Sequence, residues 1–550
     1  VKRYLEERVG AALERLGYAG MAELAFEAPK QEAHGDLTTN IALLLAKAAG
    51  KNPRVVAKEI VDSLDMNPAS VTKTEVAGPG FINFTFSPAF FARKLEGILR
   101  EGASYGRSTV GRGVKAMVEY VSANPTGPLS VGHGRQAAIG DTLANVLQWT
   151  GHEVTREYYY NNAGRQMRVL AQSTYARYRQ LFDPASAFPE DGYQGEYIQQ
   201  IALLLKSELG DSLVGIEEEK ALAVCKERAE QVLFDAIKSV LLRMGIRHDV
   251  FYNEDSLYSS KKINEVVDEF RSKGLAYDKD GAVWFKATDL GLDQDRVIIK
   301  STGEPTYRLP DIAYHREKFL RGFELVVDVF GADHIATIPD VLAGIKALGF
   351  DPDKVKVVIH QFVTLMRNGE QVKMSKRLAN FVTLDELIDE VGSDAVRYFF
   401  LMRSNGTHLE FDLSLATEHS DKNPVYYVQY AHARIASMLR FAMSEGAIDP
   451  ATDPSAVVYD VLQSPAEIAL MKQILQFPEL VEGTAKSLEP HRVPTYLHEL
   501  ATAFHRFYHD HRVVVPEKDI STARLALCAC TKTVLANGLA ILGVSAPDRM

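Results

Sequence analysis

Apolar and polar positions alternate most sharply between residues 114 and 160. Val114–Val121, "VKAMVEYV", alternates and is rich in β-branched side chains, which predicts a strand. Ile139, Leu143, Val146 and Leu147 then recur at helical spacing until Gly151 supplies a stop. His152–Tyr160, "HEVTREYYY", reads as a second strand. Between the first strand and the helix lies Ala123–Arg135, "ANPTGPLSVGHGR", a turn rich in glycine and proline. Together these make a βαβ unit. Its turn falls where open α/β sheets bind nucleotides, at the carboxyl end of a strand and the positive end of a helix.

The rest of the chain is placed around that unit. Leu5, Val9, Leu13 and Leu16 mark an opening helix, and Thr39–Ala48 and Val55–Leu64 continue with helical periodicity on either side of a break at Lys51–Pro53. Glu75–Phe86, "EVAGPGFINFTF", reads as one strand with a Gly-Pro-Gly bend. Glu101–Gly113 is polar and Gly-rich, so residues 1–107 are expected to form a small α+β domain. Residues 108–413 carry two β–α halves separated by an insertion at about 165–300. The insertion holds helices at Tyr197–Leu209 and Lys220–Met244 and the strand-like runs "AVWFKA" and "RVIIKS". The second half runs through strand "FELVVDVF", turn "GADH", helix Ile338–Leu348 and strand "KVKVVIHQFV" to a hairpin turn at Asn368–Gly369. This pattern predicts an α/β fold: a Rossmann-like, doubly wound parallel sheet. Residues 414–550 are helical throughout, at Val425–Met443, Ser464–Gln476, Val493–Val513 and Thr522–Leu542, and predict a bundle.

Composition narrows the class. The chain is 46% hydrophobic and 24% charged, ordinary for a protein with substantial cores. A net charge of −10 argues against nonspecific nucleic-acid binding by the whole surface, while leaving a local basic face open. Three cysteines, Cys225, Cys528 and Cys530, exclude a disulfide framework. Cys528 and Cys530 are too close for the usual zinc spacing and are expected to be buried and inert, with no structural metal. No apolar run approaches the roughly 18 residues of a membrane span, and no basic-then-apolar leader is present. A cytoplasmic location is expected, with an initiator methionine before Val1.

Two short stretches carry chemistry. In "PLSVGHGR" Gly132 and Gly134 allow close backbone approach, and His133 sits at a helix N-terminus. Amides plus an imidazole suit a phosphate on which charge builds during displacement, although a tight strand–helix turn needs the same glycines. Lys373–Arg377, "KMSKR", places three cations within five residues after the hairpin, enough to neutralise a triphosphate; a solvated charge run has the same composition. Phe81, Phe84 and Phe86 are open to two readings, core packing or nucleic-acid stacking.

A G-H turn in the first half of such a domain, paired with a K-M-S-K loop after the second, resembles the class I aminoacyl-tRNA synthetases. Over essentially its whole length the chain is similar to the bacterial-type arginyl-tRNA synthetase family. The match rests on "SANPTGPLSVGHGRQAAIGD", "VKMSKRLANFVTL", "NPVYYVQYAHARI", "HGDLTTNIAL" and the terminal Arg549–Met550. The resemblance implies ATP-dependent attachment of L-arginine to tRNA(Arg) through an arginyl-adenylate, with Mg²⁺ accompanying ATP. It implies that His133, Lys373 and Lys376 are catalytic, and that Ser130, Gly132, Gly134, Gly331, His334 and Ser375 join them on the ATP. The arginine pocket carries over to Glu119, Asn124, Glu254, Tyr307 and Asp311. Asp311 and Glu254 are expected on the guanidinium, whose five donors demand carboxylates, and Asn124 and Glu119 on the amino-acid backbone. Phe81 and Asn83 would meet the tRNA D-loop, and Tyr426, Tyr427, Tyr430 and Arg434 the anticodon side. Neither DNA nor a membrane is expected as a partner, and a monomer is.

Ser130 departs from the family, which usually has histidine there; a hydroxyl donates a hydrogen bond but no positive charge. Two other readings compete. One is a class I nucleotidyltransferase acting on a small molecule, which would lack the long helical C-terminal part. The other is a synthetase-derived tRNA-binding protein without catalysis, favoured by Ser130 and opposed by the intact His133, Lys373, Lys376, Glu254, Tyr307 and Asp311.

Overall fold

The computed structural model describes residues 1–29, 31–372, 382–446 and 453–550. At the N-terminus the helix Lys2–Arg15 buries Leu5, Val9 and Leu13, the periodic positions of the sequence. Strands β1 (Leu37–Thr39), β2 (Val71–Ala77) and β3 (Phe81–Phe86) form an antiparallel sheet in the order β1-β3-β2. The run expected as one bent strand is therefore a hairpin, with Ala77 paired to Phe81. Its turn needs glycine twice over: Gly80 has φ 141, and a Cβ there would lie 3.0 Å from Pro53.

The parallel sheet contains β4 (Lys115–Glu119), β5 (Glu153–Tyr160) and β6 (Val250–Asn253) from the first half. A small antiparallel sheet of β7 (Ala276–Lys279), β8 (Ala282–Phe285) and β9 (Arg296–Ile299) precedes β10 (Leu325–Gly331) and β11 (Val355–His360) of the second half. The five-stranded order is β11-β10-β4-β5-β6, so the winding reverses between β4 and β10. That reversal opens a crevice at the strands' carboxyl ends. The helix Val131–Trp149 follows β4 and is buried nearly all round, because the helices Ser393–Leu401 and Lys518–Leu542 cover the side the sheet does not. Within the insertion, helices Gly164–Gln180, Glu196–Leu209 and Glu218–Arg243 close around their own core of Leu170, Ile198, Leu205 and Leu233.

The run "KVKVVIHQFV" splits rather than forming one strand. β11 ends at His360, and β12 (Val363–Arg367) leaves for a second sheet with β13 (Glu370–Gln371) and β14 (Leu409–Asp412). At the break the buried Arg135 donates to the Gln361 carbonyl at 2.8 Å. Asn368 (φ 53) and Gly369 (φ 81) make the expected hairpin turn between β12 and β13.

The C-terminal helices are Pro424–Ser444, Pro465–Leu475, Phe477–Ser487, Arg492–Asp510 and Lys518–Leu542. Lys518–Leu542 is the one helix among the described residues long and apolar enough to cross a bilayer, and 72% of its apolar window is buried inside the bundle. Cys528 and Cys530 lie on it, fully buried, and burial pushes both thiols up. Arg397 joins three parts of the chain. Its guanidinium donates to the carbonyls of Leu542 and Met244 and pairs with Asp141 at 2.6 Å. The N-terminal domain docks on the bundle through Arg93–Asp460, Arg100–Asp453 and the amide of Asn537, which donates to the carbonyls of Gly102 and Tyr105. One hydrophobic cluster consequently runs from Leu5 through Val118 to Val544.

Candidate active site

β4 does not end in an ordinary turn. Val121 (φ 71) and Ser122 (φ 43) occupy the left-handed region, which costs about 1–3 kcal/mol for a non-glycine residue. Neighbours hold the kink from both sides. The Tyr158 hydroxyl accepts from the Ala123 amide at 3.2 Å and donates to its carbonyl at 2.7 Å. The Ser122 hydroxyl donates to Glu119 at 3.0 Å and accepts from the Tyr159 amide at 3.2 Å. The kink throws residues 123–130 across the sheet's edge, over a cavity of about 410 Å³ at the topological switch point.

This cavity gathers most of the residues singled out by the sequence. Glu119, Asn124, Ser130, Gly132, His133, Glu254, Tyr307, Asp311, Gly331 and His334 all line it. Lys373, Ser375 and Lys376 lie outside the described residues. Gly134 faces elsewhere: a Cβ on it would stand 2.5 Å from Leu384 and 2.9 Å from Phe400, so this glycine serves close helix packing. Gly132 has only the Ser130 hydroxyl near its would-be Cβ, at 3.7 Å, and is open to a ligand.

At one end of the cavity Ser130 caps the helix Val131–Trp149, and its main-chain N–H donates to His133 Nδ1 at 3.1 Å. With Nδ1 accepting, the ring proton is carried on Nε2. Ser130 also forms an antiparallel bridge to Thr383, seven residues after Lys376. His334 stacks on Phe330 with ring centres 5.3 Å apart. His360 ends β11 at the cavity wall, and burial pushes its imidazole down to about 4. Gln136 donates to the Val329 carbonyl and ties the helix to β10.

The other end is acidic. Burial, with Glu119 and Glu254 adding to it, pushes the Asp311 carboxyl up to about 7. Glu254 is raised as well, by burial, although the hydroxyls of Tyr159 (2.8 Å) and Tyr258 (3.4 Å) donate to it. Tyr307 caps the helix Arg308–Leu320 and stands at the rim, 90% exposed, with Asp311 one turn inside. Asn124 accepts from the Asn161 amide at 2.9 Å and donates to Gln166 at 3.0 Å. Glu119 is 3% exposed and held at 2.5 Å by the fully buried Lys318, which also binds Asp328 at 2.7 Å. The two acids raise Lys318 against the effect of its burial; burial raises Asp328, but Lys318 and His315 outweigh it and hold that carboxyl well below its usual range.

Sequence reasoning missed Tyr159, Asn161, His315, Lys318, Asp328 and His360. Tyr159 and Asn161 could have been found from their place at the carboxyl end of a predicted strand. Nothing in the sequence marks Lys318 as buried.

The remaining candidates lie outside the cavity. Phe81 is 37% exposed at the head of β3, whereas Asn83, in the middle of that central strand, is 5% exposed. Tyr426 stacks on Tyr430 at 5.9 Å, Tyr427 lies tilted against His505 at 4.8 Å, and Arg434 lies over Tyr430 and Tyr508. His509 Nδ1 lies 3.0 Å from Asp510. Among the described residues, no three His, Cys, Asp or Glu side chains converge as a metal set.

Comparison with known proteins bears on the whole length. The family described as "tRNA synthetases class I (R), catalytic domain" matches residues 94–404. "Arginyl tRNA synthetase N terminal domain" matches 3–86, and "DALR anticodon binding domain" matches 428–550. An arginine–tRNA ligase of Desulfotalea psychrophila is 53% identical over 531 residues, covering 96% of this chain and 95% of that protein. The chain belongs to the arginyl-tRNA synthetase family. A second arginine–tRNA ligase, from Salinibacter ruber, is 48% identical with full coverage of both chains. The solved arginyl-tRNA synthetase of Thermus thermophilus superposes with a TM-score of 0.78 over both chains at 22% identity, a likeness of fold. The synthetase thus attaches arginine to tRNA in an ATP-dependent reaction, and neither competing reading is favoured by these relatives.

Proposed function

We propose that the switch-point cavity is the site where arginyl-adenylate forms, with arginine at the Asp311 end and ATP at the His133 end. The observation that carries this reading is one cavity with two chemically opposite ends: the buried Asp311 carboxyl beside Glu254, and an open Gly132 beside the His133 ring. A guanidinium presents a fork of donors that two carboxylates satisfy, and lysine's single ammonium does not. Tyr307 covers that group from the rim. Asn124 takes the amino-acid backbone. Glu119 acts from beneath, because Lys318 and Ser122 already engage both of its oxygens.

The arginine carboxylate attacks the α-phosphate of ATP and expels pyrophosphate; a terminal tRNA ribose hydroxyl then attacks the acyl carbon and expels AMP. No protein nucleophile is needed, so catalysis rests on positioning and on charge stabilisation. His133 donates from Nε2 to the phosphoryl oxygens, Gly132 lets them approach the helix N-terminus, and Gly331 and His334 line the nucleotide side. Lys373, Ser375 and Lys376 hold the triphosphate. Mg²⁺ accompanying ATP would be held chiefly by the substrate phosphates and retained water. On the tRNA, Phe81 stacks on a D-loop base, and Tyr426, Tyr427, Tyr430 and Arg434 face the anticodon. The enzyme works as a cytoplasmic monomer.

The test is arginine-dependent exchange of pyrophosphate into ATP, with and without cognate tRNA, for wild type and Asp311→Ala. Loss of exchange with tRNA affinity retained supports the pocket; an equal loss of tRNA affinity places Asp311 in a different role.

A further inference from the structure

The helix Arg308–Leu320 carries Asp311 and lies over three strands whose paired positions are all acidic. Asp328 on β10 pairs with Glu119 on β4, and Glu119 with Glu157 on β5. All three carboxylates are buried. The helix and the residue after it present Tyr314, His315, Lys318 and Arg321 to them. Arg321 and Tyr314 bind Glu157, and Lys318 bridges Glu119 and Asp328. His315 has a different geometry. Its Nε2 is 2.9 Å from Asp328 Oδ2, and its Nδ1 is 2.7 Å from the main-chain carbonyl of Asp311.

Both partners of His315 accept hydrogen bonds and neither can donate one. Only a ring with a proton on each nitrogen satisfies both. That ring belongs to a buried set in which Lys318 bridges Glu119 and Asp328 and His315 holds the other oxygen of Asp328. Removing one member of such a set leaves a charge buried without its partner. The ring edge reaches the cavity wall, but both nitrogens are committed to protein.

The acceptor on the helix side is the carbonyl of the residue whose carboxylate faces the cavity. We propose that His315 is the positioning residue for Asp311: its ring fastens the first turn of the helix to β10, fixing how the carboxylate meets the substrate guanidinium. Arg308, on the same turn, is fastened to the buried Asp340, so the turn is held on both sides. The inference rests on the reading of Asp311 as the guanidinium-binding carboxylate. Charge-paired recognition tolerates only about 0.5 Å of looseness before affinity falls, and a bridge across the reading turn removes that freedom.

The two amide variants dissect the bridge, because an asparagine amide nitrogen falls near His Nδ1 and a glutamine amide nitrogen near Nε2. His315→Asn keeps the donor to the Asp311 carbonyl and loses the link to Asp328; His315→Gln does the reverse. Each is expected to raise the KM for arginine about tenfold while kcat and the KM for ATP change less than about twofold. A merely structural role would lower the melting temperature and leave the arginine KM alone. Asp311→Asn is the control for the underlying reading: if it leaves the arginine KM unchanged, the pocket assignment fails, whatever the histidine variants do. If Asp311→Asn raises KM and both histidine variants keep the wild-type value, the positioning role alone is overturned. Asp328→Asn, which keeps shape and removes the anchor, serves if the histidine variants do not fold; an unchanged arginine KM there overturns the proposal equally.

Discussion

The main-chain N–H of Leu384 donates to the carbonyl of Leu129 at 2.8 Å, and the adjacent pair, Thr383 and Ser130, forms an antiparallel bridge. The chain at Thr383, seven residues after Lys376, is thereby fastened to the residue that caps the G-H helix. Thr383 also caps its own helix, Leu384–Val391, in a reciprocal box with Glu386. Thr383→Ala is expected to cost about 1 kcal/mol of stability through the lost cap. Because the cap sits at this anchor, the KM for ATP should rise while that for arginine stays constant. Urea unfolding and pyrophosphate exchange measure the two effects; a stability loss without any change in the ATP KM would separate the cap from the site.

His133 Nδ1 accepts from the main-chain N–H of residue 130 at 3.1 Å, a bond any residue at that position keeps, and the Ser130 hydroxyl lies farther off at 3.3 Å. Ser130→Ala and Ser130→His should therefore retain activation within several-fold, with a cost of about 1 kcal/mol in stability from the weaker helix cap. His133→Ala removes the donor itself and should lower kcat by about 10²–10³. If Ser130→His lost activity as severely as His133→Ala, the hydroxyl would be part of the chemistry.

Arginine binding should be linked to a proton. Burial, with the neighbouring carboxylates adding to it, pushes the Asp311 carboxyl up to about 7, so that it is protonated below that pH when no guanidinium is bound. A bound guanidinium favours the carboxylate, so binding lowers that pKa and releases a proton. Affinity should then weaken as pH falls below 7, by up to about tenfold per unit, and level off above it. Calorimetry in buffers of different ionisation enthalpy reads the released proton directly. Asp311→Asn should abolish the release, and a persistent pH slope in that variant would assign it to another group.

The parts of this architecture that were legible in advance are those where local pattern and tertiary placement agree. The strand–turn–helix from Val114 onward keeps the periods of its pattern even though both elements are buried, and Asn368–Gly369 has the positive φ at both positions that its two-residue hairpin turn uses. The active-site acids were legible only through family motifs, because an isolated Asp or Glu reads as surface. Lys318, His315 and Arg321 were invisible for a sharper reason. Hydrophobic periodicity assigns charged positions of a helix to solvent, whereas here they face a sheet whose three central strands carry paired acids, Asp328, Glu119 and Glu157. The Val121–Ser122 kink was equally hidden, since neither residue prefers positive φ and only their neighbours impose it.

Arg397 should matter more for stability than its place on a C-terminal segment of the catalytic part suggests. Arg397→Met leaves Asp141 buried without its closest cation and frees the carbonyls of Met244 and Leu542. A loss of about 3–5 kcal/mol is expected by urea unfolding, with early proteolysis of the C-terminal helices. Arg397→Lys should recover only part, because an ammonium cannot span three separated acceptors.

The docking of the first hundred residues on the last hundred sets an order on biosynthesis. Leu95, Gly102 and Tyr105 meet Cys530 and Asn537, which leave the ribosome more than four hundred residues later. At about 5–20 residues per second the N-terminal domain waits tens of seconds with that face uncovered. A nascent chain stalled before Lys518 would keep the face exposed, and the active site between the two ends would be the last region to gain its full support.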